Sequence, residues 1–551
     1  MRHKSKLYSF AVQMKHSLGL RSKGLKTISF ITAIGLLSAC SPAHETGRNE
    51  VPVSGVEAKA LNNKAPFIAS AYQGQPNIII MLADDLGWAD MGFRGSDIET
   101  PNIDKLAREG MVLERFYAMP ICTPTRSALM TGRDPMKLGS VYAGFQPWQN
   151  GGVSPEEHFM PQSFQAAGYQ TAMIGKWHLG HSTELLTPNA RGFEYFLGHL
   201  NTQIDYFDYT VAKGFDLQKN GQSLEGETRY ATDLHGEEAA RYISEIREPD
   251  KPFFLYVPFL APHSPIQAPE ALEAKYPKRR NLPTPKRSYA AMVDSLDQAV
   301  GRILNALDAE GLNEDTLILF FSDNGGLKAF GADNGPLRGG KLETFEGGIK
   351  VAAIVNWPGQ VAPNSKTENI VSVLDVFPSL TEAAKVPIGA SKPLDGKNRW
   401  SAMTQVGAIP REGALYFASN SPLFNRYHVS VIEDPWKLVQ IIDHGSTQTD
   451  LETFLFNLQN DPFEKTDLAD QYPERVKKMA DKIRKWRAQH PINGVRVALT
   501  PHPGWRAPLD YAKSVQPATT VQTEGYQGYV SGVRGKILQR RHGDKGRIAY
   551  D

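Results

Sequence analysis

The sequence predicts an α/β fold with a large, mostly parallel central sheet and a smaller C-terminal α+β subdomain. Three observations carry that prediction. Four short runs are largely apolar, three of them almost continuously so, as strands covered on both faces tend to be. Amphipathic helical patterns lie between them, the alternation that builds an α/β sheet. Each run also stops at polar, chemistry-bearing residues, which gathers them at the strands' C-terminal edge, where open α/β sheets bind ligands.

In chain order, the first run is Asn77–Leu82 (NIIIML), which ends in Ala83-Asp84-Asp85. Two adjacent carboxylates at a strand end are costly unless something positive holds them; taken alone, the pair serves equally well as a turn cap. Thr100–Gly110 begins a helix, with Ile103 and Leu106 at apolar spacing. Tyr169–Ile174 is the second strand, followed by the loop Gly175–Gly180 (GKWHLG). Lys176 and His178 are two apart, so an extended backbone sends both side chains to one side. Phe253–Phe259 is the third strand; Pro258 marks an irregular end before His263, held between prolines.

The helix Ser288–Leu307 places Met292, Leu296, Val300 and Ile303 on one face and leads to Thr316–Phe321 (TLILFF), the clearest buried strand. Asp323 and Asn324 follow it. An Asn-Gly pair invites a hairpin, but no second strand follows closely, so the turn presents both residues at the edge. Lys341 then arrives in the glycine-rich stretch Pro336–Val351. Beyond a looser region, Trp436–Ile442 reads as a strand and Tyr472–Gln489 as a helix with Val476, Met479, Ile483 and Trp486 on one face. The tail from His490 reads as a wrapping extension, basic near its end.

Everything so far serves Ile121–Arg133 (ICTPTRSALMTGR). Thr123 is a good N-cap, Pro124 suits the first helical position, and Gly132 is a natural stop. Cys122 therefore sits at the positive end of a short helix, with Arg126 on the same face of its first turn. That placement makes it a candidate activated nucleophile. The oxygen donors Asp84, Asp85, Asp323 and Asn324 suit a hard cation, Ca²⁺ before Mg²⁺.

The chain has 551 residues, more than one typical core holds, and a net charge of +2 with mixed distribution, which gives no case for nucleic acid binding. Mean hydropathy is −0.37. Thr27–Ala39 is apolar for 13 residues after a basic lead-in, too short to span a bilayer and right for a signal peptide. Leu37–Cys40 (LSAC) resembles a bacterial lipoprotein cleavage box, favoured over a plain signal peptide, with Cys40 lipidated and Ser41 favouring the outer membrane, so the chain is expected in the periplasm or at the cell surface. Of the two cysteines, that leaves Cys122 without a disulfide partner. The expected organisation is signal peptide and lipobox at 1–40, linker at 41–75, catalytic domain at 76–405, and C-terminal subdomain with tail at 406–551.

The segment CTPTRSALMTGR resembles the sulfatase maturation motif, and ADDLGWADMGF, GKWHLG, APHSPIQAP, FSDNGG and LRGGK resemble sulfatase segments in the family's order. Ala352 stands where many relatives carry proline. The resemblance, closest to the arylsulfatase B-like group, implies an alkaline phosphatase-like sandwich. It implies that a maturation enzyme oxidises Cys122 to formylglycine (3-oxoalanine), which joins Asp84, Asp85, Asp323 and Asn324 around the ion. It implies that a hydroxyl of the hydrated aldehyde attacks sulfur while Arg126, Lys176 and Lys341 balance charge. His263, with Lys341, would protonate the leaving sugar oxygen, and His178 would take a proton to expel sulfate.

The cellular address points to a sulfated polysaccharide or its oligosaccharides, with His199, Asn201 and Asp205 as sugar contacts. The aromatic run Asp205–Tyr209 (DYFDY) would then be a stacking platform or ordinary core. Two other readings stand beside this one: a phosphodiesterase or phosphonate hydrolase of the same superfamily, and a non-catalytic lipoprotein that binds sulfated glycans.

Overall fold

A computed structural model describes residues 72, 74–277, 286–390, 392–421, 426–443, 451–491, 501 and 504–518. The signal peptide, the lipobox at Cys40, nearly all of the linker and the basic end of the tail lie outside the described residues. Among the described residues no helix is long and apolar enough to cross a membrane.

Strand β1, Asn77–Ala83, is buried along its whole length. Its side chains alternate between two separate cores. Ile78, Ile80 and Leu82 pack with Leu129, Met130 and Phe164, while Ile79, Met81 and Ala83 pack with Leu234, Val293 and Leu296 on the other face. Two covered faces are why the run contains no polar alternation.

The other strands of this sheet are β2 (Met111–Leu113), β3 (Gln170–Lys176), β4 (Tyr195–His199), β5 (Gln218–Lys219), β6 (Gln222–Ser223), β7 (Phe253–Pro258), β8 (Thr316–Ser322), β9 (Ala353–Asn356) and β10 (Ser365–Thr367). Their order is β10-β2-β9-β8-β1-β7-β3-β4-β5-β6. The five central strands, from β8 to β4, run parallel. The β9 and β5 neighbours are antiparallel, so the sheet is parallel where the site lies and mixed at its margins.

All four predicted strands form, each within two residues of its expected ends. β4 went unpredicted as a strand because it has only five residues and contains Gly198. Pro258 closes β7 opposite Leu82, as expected of a residue that cannot donate to a ladder.

Five helices matter here: α1 (Pro101–Glu109), α2 (Cys122–Thr131), α3 (Ala231–Arg241), α4 (Lys286–Ala309) and α5 (Pro473–Arg487). Helices α3 and α4 cover one face of the sheet and α2 lies on the other. C-terminal to the sheet, Leu415–Ser421, Arg426–Glu433, Trp436–Asp443 and Leu451–Asn457 form a four-stranded antiparallel meander. Met479, Ile483 and Trp486 of α5 pack on it with Met136 and Val141.

Candidate active site

Five parallel strands deliver Asp84/Asp85, Lys176/His178, His199, His263 and Asp323/Asn324 at or just beyond their C-terminal ends. Helix α2 is laid across that edge, with every residue buried. Its N-cap is Ile121, in extended conformation, and Cys122 is its first residue. Thr123 does not cap, contrary to expectation; its hydroxyl donates to the His178 carbonyl at 3.1 Å. Thr125 donates to the Asp323 carbonyl at 2.6 Å. These two hydroxyls pin the first turn to the ends of β3 and β8, which is why the sequence spends two threonines there. Gly132, at φ 63°, ends the helix as predicted.

Arg126 is fully buried and shared. Its Nη2 reaches Asp84 Oδ2 at 3.2 Å and Asp323 Oδ2 at 3.0 Å, and Nη1 donates to the Lys176 carbonyl at 2.9 Å. Lys176 Nζ pairs with Asp84. Lys341 Nζ lies 2.6 Å from Asp85 Oδ1. Asn324 Nδ2 donates to that same oxygen at 2.7 Å. The structure therefore brings together Cys122, Arg126, Lys176, Lys341, Asp84, Asp85, Asp323 and Asn324. A Cβ on Gly325 would lie 1.8 Å from the Gly347 carbonyl, so only glycine lets the turn after Asn324 dock on the Lys341 loop.

Burial alone would raise the Asp84 carboxyl, but Lys176, His263 and Arg126 outweigh it and hold it well below the usual range. Burial and the Asp84 charge push Asp323 up to about 7. Burial pushes the Cys122 thiol up, against Lys176 and Lys341. This corrects the sequence expectation, because the helix end and Arg126 do not yield an activated thiolate. Arg126 is spent on Asp84 and Asp323.

The donor set fits a cation. Single ligand atoms of Asp84, Asp85 and His263 lie within 4.8 Å of one another, as do those of Asp84, Cys122 and Asp323. Asp84 Oδ1 and Asn324 Oδ1 are buried without a hydrogen-bond partner. A buried carboxylate oxygen and a buried amide oxygen left unpaired are expensive, and both are hard donors that a divalent ion would satisfy.

His178 adopts φ 60°, so the extended-backbone argument linking it to Lys176 fails. Its Nε2 hydrogen-bonds the Phe145 carbonyl at 3.0 Å, and its Nδ1 is buried and unpartnered. Burial and then Lys176 lower its pKa well below the usual range. His263 Nδ1 contacts the Ser264 carbonyl at 2.6 Å and its Nε2 lies 3.8 Å from Asp85 Oδ2. Burial, then Lys341, lowers it to about 4.

The three expected sugar contacts sit differently. His199 is fully buried beside Lys176 on the neighbouring strand, its ring 6.2 Å from that of His235. Asn201 Nδ2 donates to Asp216 at 2.8 Å. Asp205 accepts from the Phe207 and Asp208 amides and from Gln267. Asn201 and Asp205 thus serve internal bonds, and none of the three is drawn into the charged cluster by a hydrogen bond or ion pair. In the run at 205–209, which read equally as platform or core, Tyr206 and Tyr209 are buried. Tyr206 Oη donates to the His263 carbonyl at 2.8 Å, so the run supports His263 from behind.

Two supports escaped the sequence reading. Tyr289 Oη lies 2.7 Å from Asp90 Oδ2 and 3.2 Å from the Asp85 carbonyl, bracing the turn after β1. Buried Lys437 of the meander lies between Glu346 and Glu464. A tyrosine inside an amphipathic helix and a lysine inside a strand carry no local signal of such roles.

A buried, cation-balanced carboxylate cluster at the C-terminal edge of a parallel sheet, with a cysteine at the first turn of a buried helix beside it, matches a hydrolase of the alkaline phosphatase-like class. The comparisons give its family. The family model described as Sulfatase matches residues 76–386, and that of the N-sulphoglucosamine sulphohydrolase C-terminal region matches 341–489. Arylsulfatase J of Mus musculus is 32% identical over 468 residues, 77% of this chain and 78% of its own. A sulfatase of Formosa agariphila is 31% identical, covering 77% of this chain and 91% of its own. The crystal structure of Ps i-CgsB is 34% identical with TM-score 0.69, covering 76% of this chain and 93% of its own; it is also solved in complex with k-i-k-neocarrahexaose. The chain belongs to the sulfatase family and is a sulfuric ester hydrolase.

Proposed function

We propose that this sulfatase removes sulfate from a sulfated polysaccharide or its oligosaccharides, an algal galactan such as a carrageenan or a glycosaminoglycan. In this reading Cys122 acts in its formylglycine form and Ca²⁺ occupies the carboxylate cluster. The observation that carries the chemistry is the convergence of Cys122 with Arg126, Lys176 and Lys341 on three carboxylates. The carbohydrate class is supported by Ps i-CgsB, 32% identical in its neocarrahexaose complex.

Asp84, Asp85, Asp323 and Asn324, with residue 122, would hold the ion. Bound there, Ca²⁺ supplies Lewis acidity toward sulfate oxygens, and formylglycine supplies the nucleophilic hydroxyl that a neutral thiol lacks. The protein groups do the rest. Lys341 and Lys176 line the sulfate position as fixed cations. With its Nε2–H on the Phe145 carbonyl, His178 keeps a lone pair on Nδ1 to take a proton. An arriving sulfate ester would add negative charge beside His263 and so favour its protonated form. Lys341 and His263 are then the proton sources for the leaving sugar oxygen. We place the mature enzyme in the periplasm or at the cell surface, tethered through lipidated Cys40.

Sulfate release from carrageenans, ulvan, fucoidan and glycosaminoglycans, beside aryl sulfates and phosphodiesters, tests the substrate. Turnover confined to small aryl sulfates, or a preference for phosphodiesters, would refute it. Mass spectrometry of the peptide holding Cys122 tests the nucleophile: a loss of about 18 Da is expected, and fully active enzyme with an intact thiol would exclude it.

A further inference from the structure

We infer that Trp148 and Trp505 form a stacking corner for a pyranose ring of the glycan, adjacent to the ring whose sulfate is cleaved. The inference rests on the glycan reading above. The two indoles meet edge to face, with centroids 5.8 Å apart and planes at 74°. Both are half-buried, so each indole reaches the solvent boundary.

Their positions tie them to the site. Trp148 lies in a turn closed by Gln149 N–H donating to the Gln146 carbonyl at 2.9 Å. That turn begins where the Phe145 carbonyl meets His178 Nε2, and it ends where Val153 N–H donates to the Leu179 carbonyl at 3.0 Å. Trp148 therefore sits three residues from a direct contact with His178. Trp505 belongs to the described tail segment, 504–518, which wraps as the sequence suggested. Gln516 N–H donates to the Ser182 carbonyl at 3.0 Å, and Phe215 N–H donates to the Leu509 carbonyl at 2.9 Å. Ser223 Oγ donates to Asp510 at 2.5 Å, and Tyr511 is buried against His181. The strap is thus fastened to loops that leave β3 and β4 at the site's edge.

Those fastenings come from residues other than Trp505. Two perpendicular aromatic faces suit a saccharide ring, whose C–H face stacks on one indole while its rim meets the other. Phe207, 44% exposed, is what remains of the platform expected at 205–209. The indole pair comes instead from two segments far apart in sequence.

The test uses the full-length matured enzyme and its Trp148→Ala, Trp505→Ala, Trp148→Phe and Trp505→Phe variants. KM and kcat are measured on an aryl sulfate and on the glycan that the wild type desulfates best. Each alanine variant should raise glycan KM about tenfold, equivalent to about 1.4 kcal/mol, with aryl sulfate kcat/KM unchanged. The phenylalanine variants should recover most of the loss. Equal losses on both substrates, or unchanged glycan KM, overturn the inference. Limited proteolysis reports whether the strap stays docked; should Trp505→Ala release it, Trp148→Ala decides, since that residue lies outside the strap. A wild type that desulfates no glycan would instead refute the substrate reading itself.

Discussion

Replacing Lys437 by methionine removes a buried cation that joins the meander to the loop carrying Lys341. Lys437 Nζ lies 2.9 Å from Glu346 Oε1 and 2.8 Å from Glu464 Oε1, the second contact out of hydrogen-bond alignment. Glu346 also accepts from Tyr117 Oη at 3.1 Å, and its amide donates to Glu464 at 2.7 Å. Without the lysine, two carboxylates face each other in a buried space, with Lys350 3.8 Å from Glu346 and Arg338 bonded to the Glu464 carbonyl at 3.1 Å as the nearby cations that remain. Breaking a buried pair in this way costs about 3–5 kcal/mol. The unit spans Ala69–Asp551, about 480 residues at roughly 2.1 cal/mol/K each, so its unfolding entropy is about 1 kcal/mol/K. The melting temperature should fall by about 3–5 °C in calorimetry. Burial already pushes Glu464 up to about 6 from 4.5. A raised carboxylate pKa costs stability as pH climbs through that window, so the variant's deficit should be largest above pH 6 and shrink toward pH 4.5. Adding Glu464→Gln should recover part of the loss. A melting temperature within 1 °C of wild type at pH 7.5 would refute the reasoning.

Burial pushes Asp90 up to about 7 from 3.8 despite bonds from Tyr289, Asp333 and Gly87. The folded state therefore holds this proton longer than the unfolded chain, and wild-type stability falls between about pH 4 and 7 on its account. Asp90→Asn should gain on wild type across that window; a gap independent of pH counts against it. Chelation should abolish sulfate release and lower the melting temperature, Ca²⁺ should restore both, and Asp323→Asn should weaken the restoration; a chelator without effect on either readout rejects the cation site. Cys122→Ala should lose all turnover while melting near the wild type, because it removes one small side chain at a helix start; residual turnover above background speaks against position 122.

The legible part of the fold was the part governed by burial. β1, β7 and β8 announce themselves because strands covered on both faces are nearly apolar throughout, β3 because a short mostly apolar run precedes a polar loop, and Asp84, Asp85, Lys176, His263, Asp323 and Asn324 stand at their ends. What the sequence could not convey is how neighbours share charges. Arg126 reads as a local partner of Cys122, yet it is held by Asp84 and Asp323, 42 and 197 residues away. Local pattern also misread backbone. His178 leaves the extended region, and Thr123 spends its hydroxyl on a tertiary contact rather than a cap. The run at 205–209 was open between platform and core, and nothing in its periodicity revealed that Tyr206 faces the His263 carbonyl.

The charges explain why the cluster has the composition it does. Asp84, Asp85 and Asp323 are matched one for one by Arg126, Lys176 and Lys341, and each cation already touches a carboxylate. A neutral set of this kind has no net pull on a sulfate ester. A divalent ion held by Asp84, Asp85, Asp323 and Asn324 would change the balance, bringing the set from neutral to a net charge of about +2. The resulting double positive charge matches free sulfate, a dianion, better than the singly charged ester. Sulfate is therefore expected to compete with substrate, and raised salt should weaken that inhibition only modestly, because buried charges are screened far less than exposed ones.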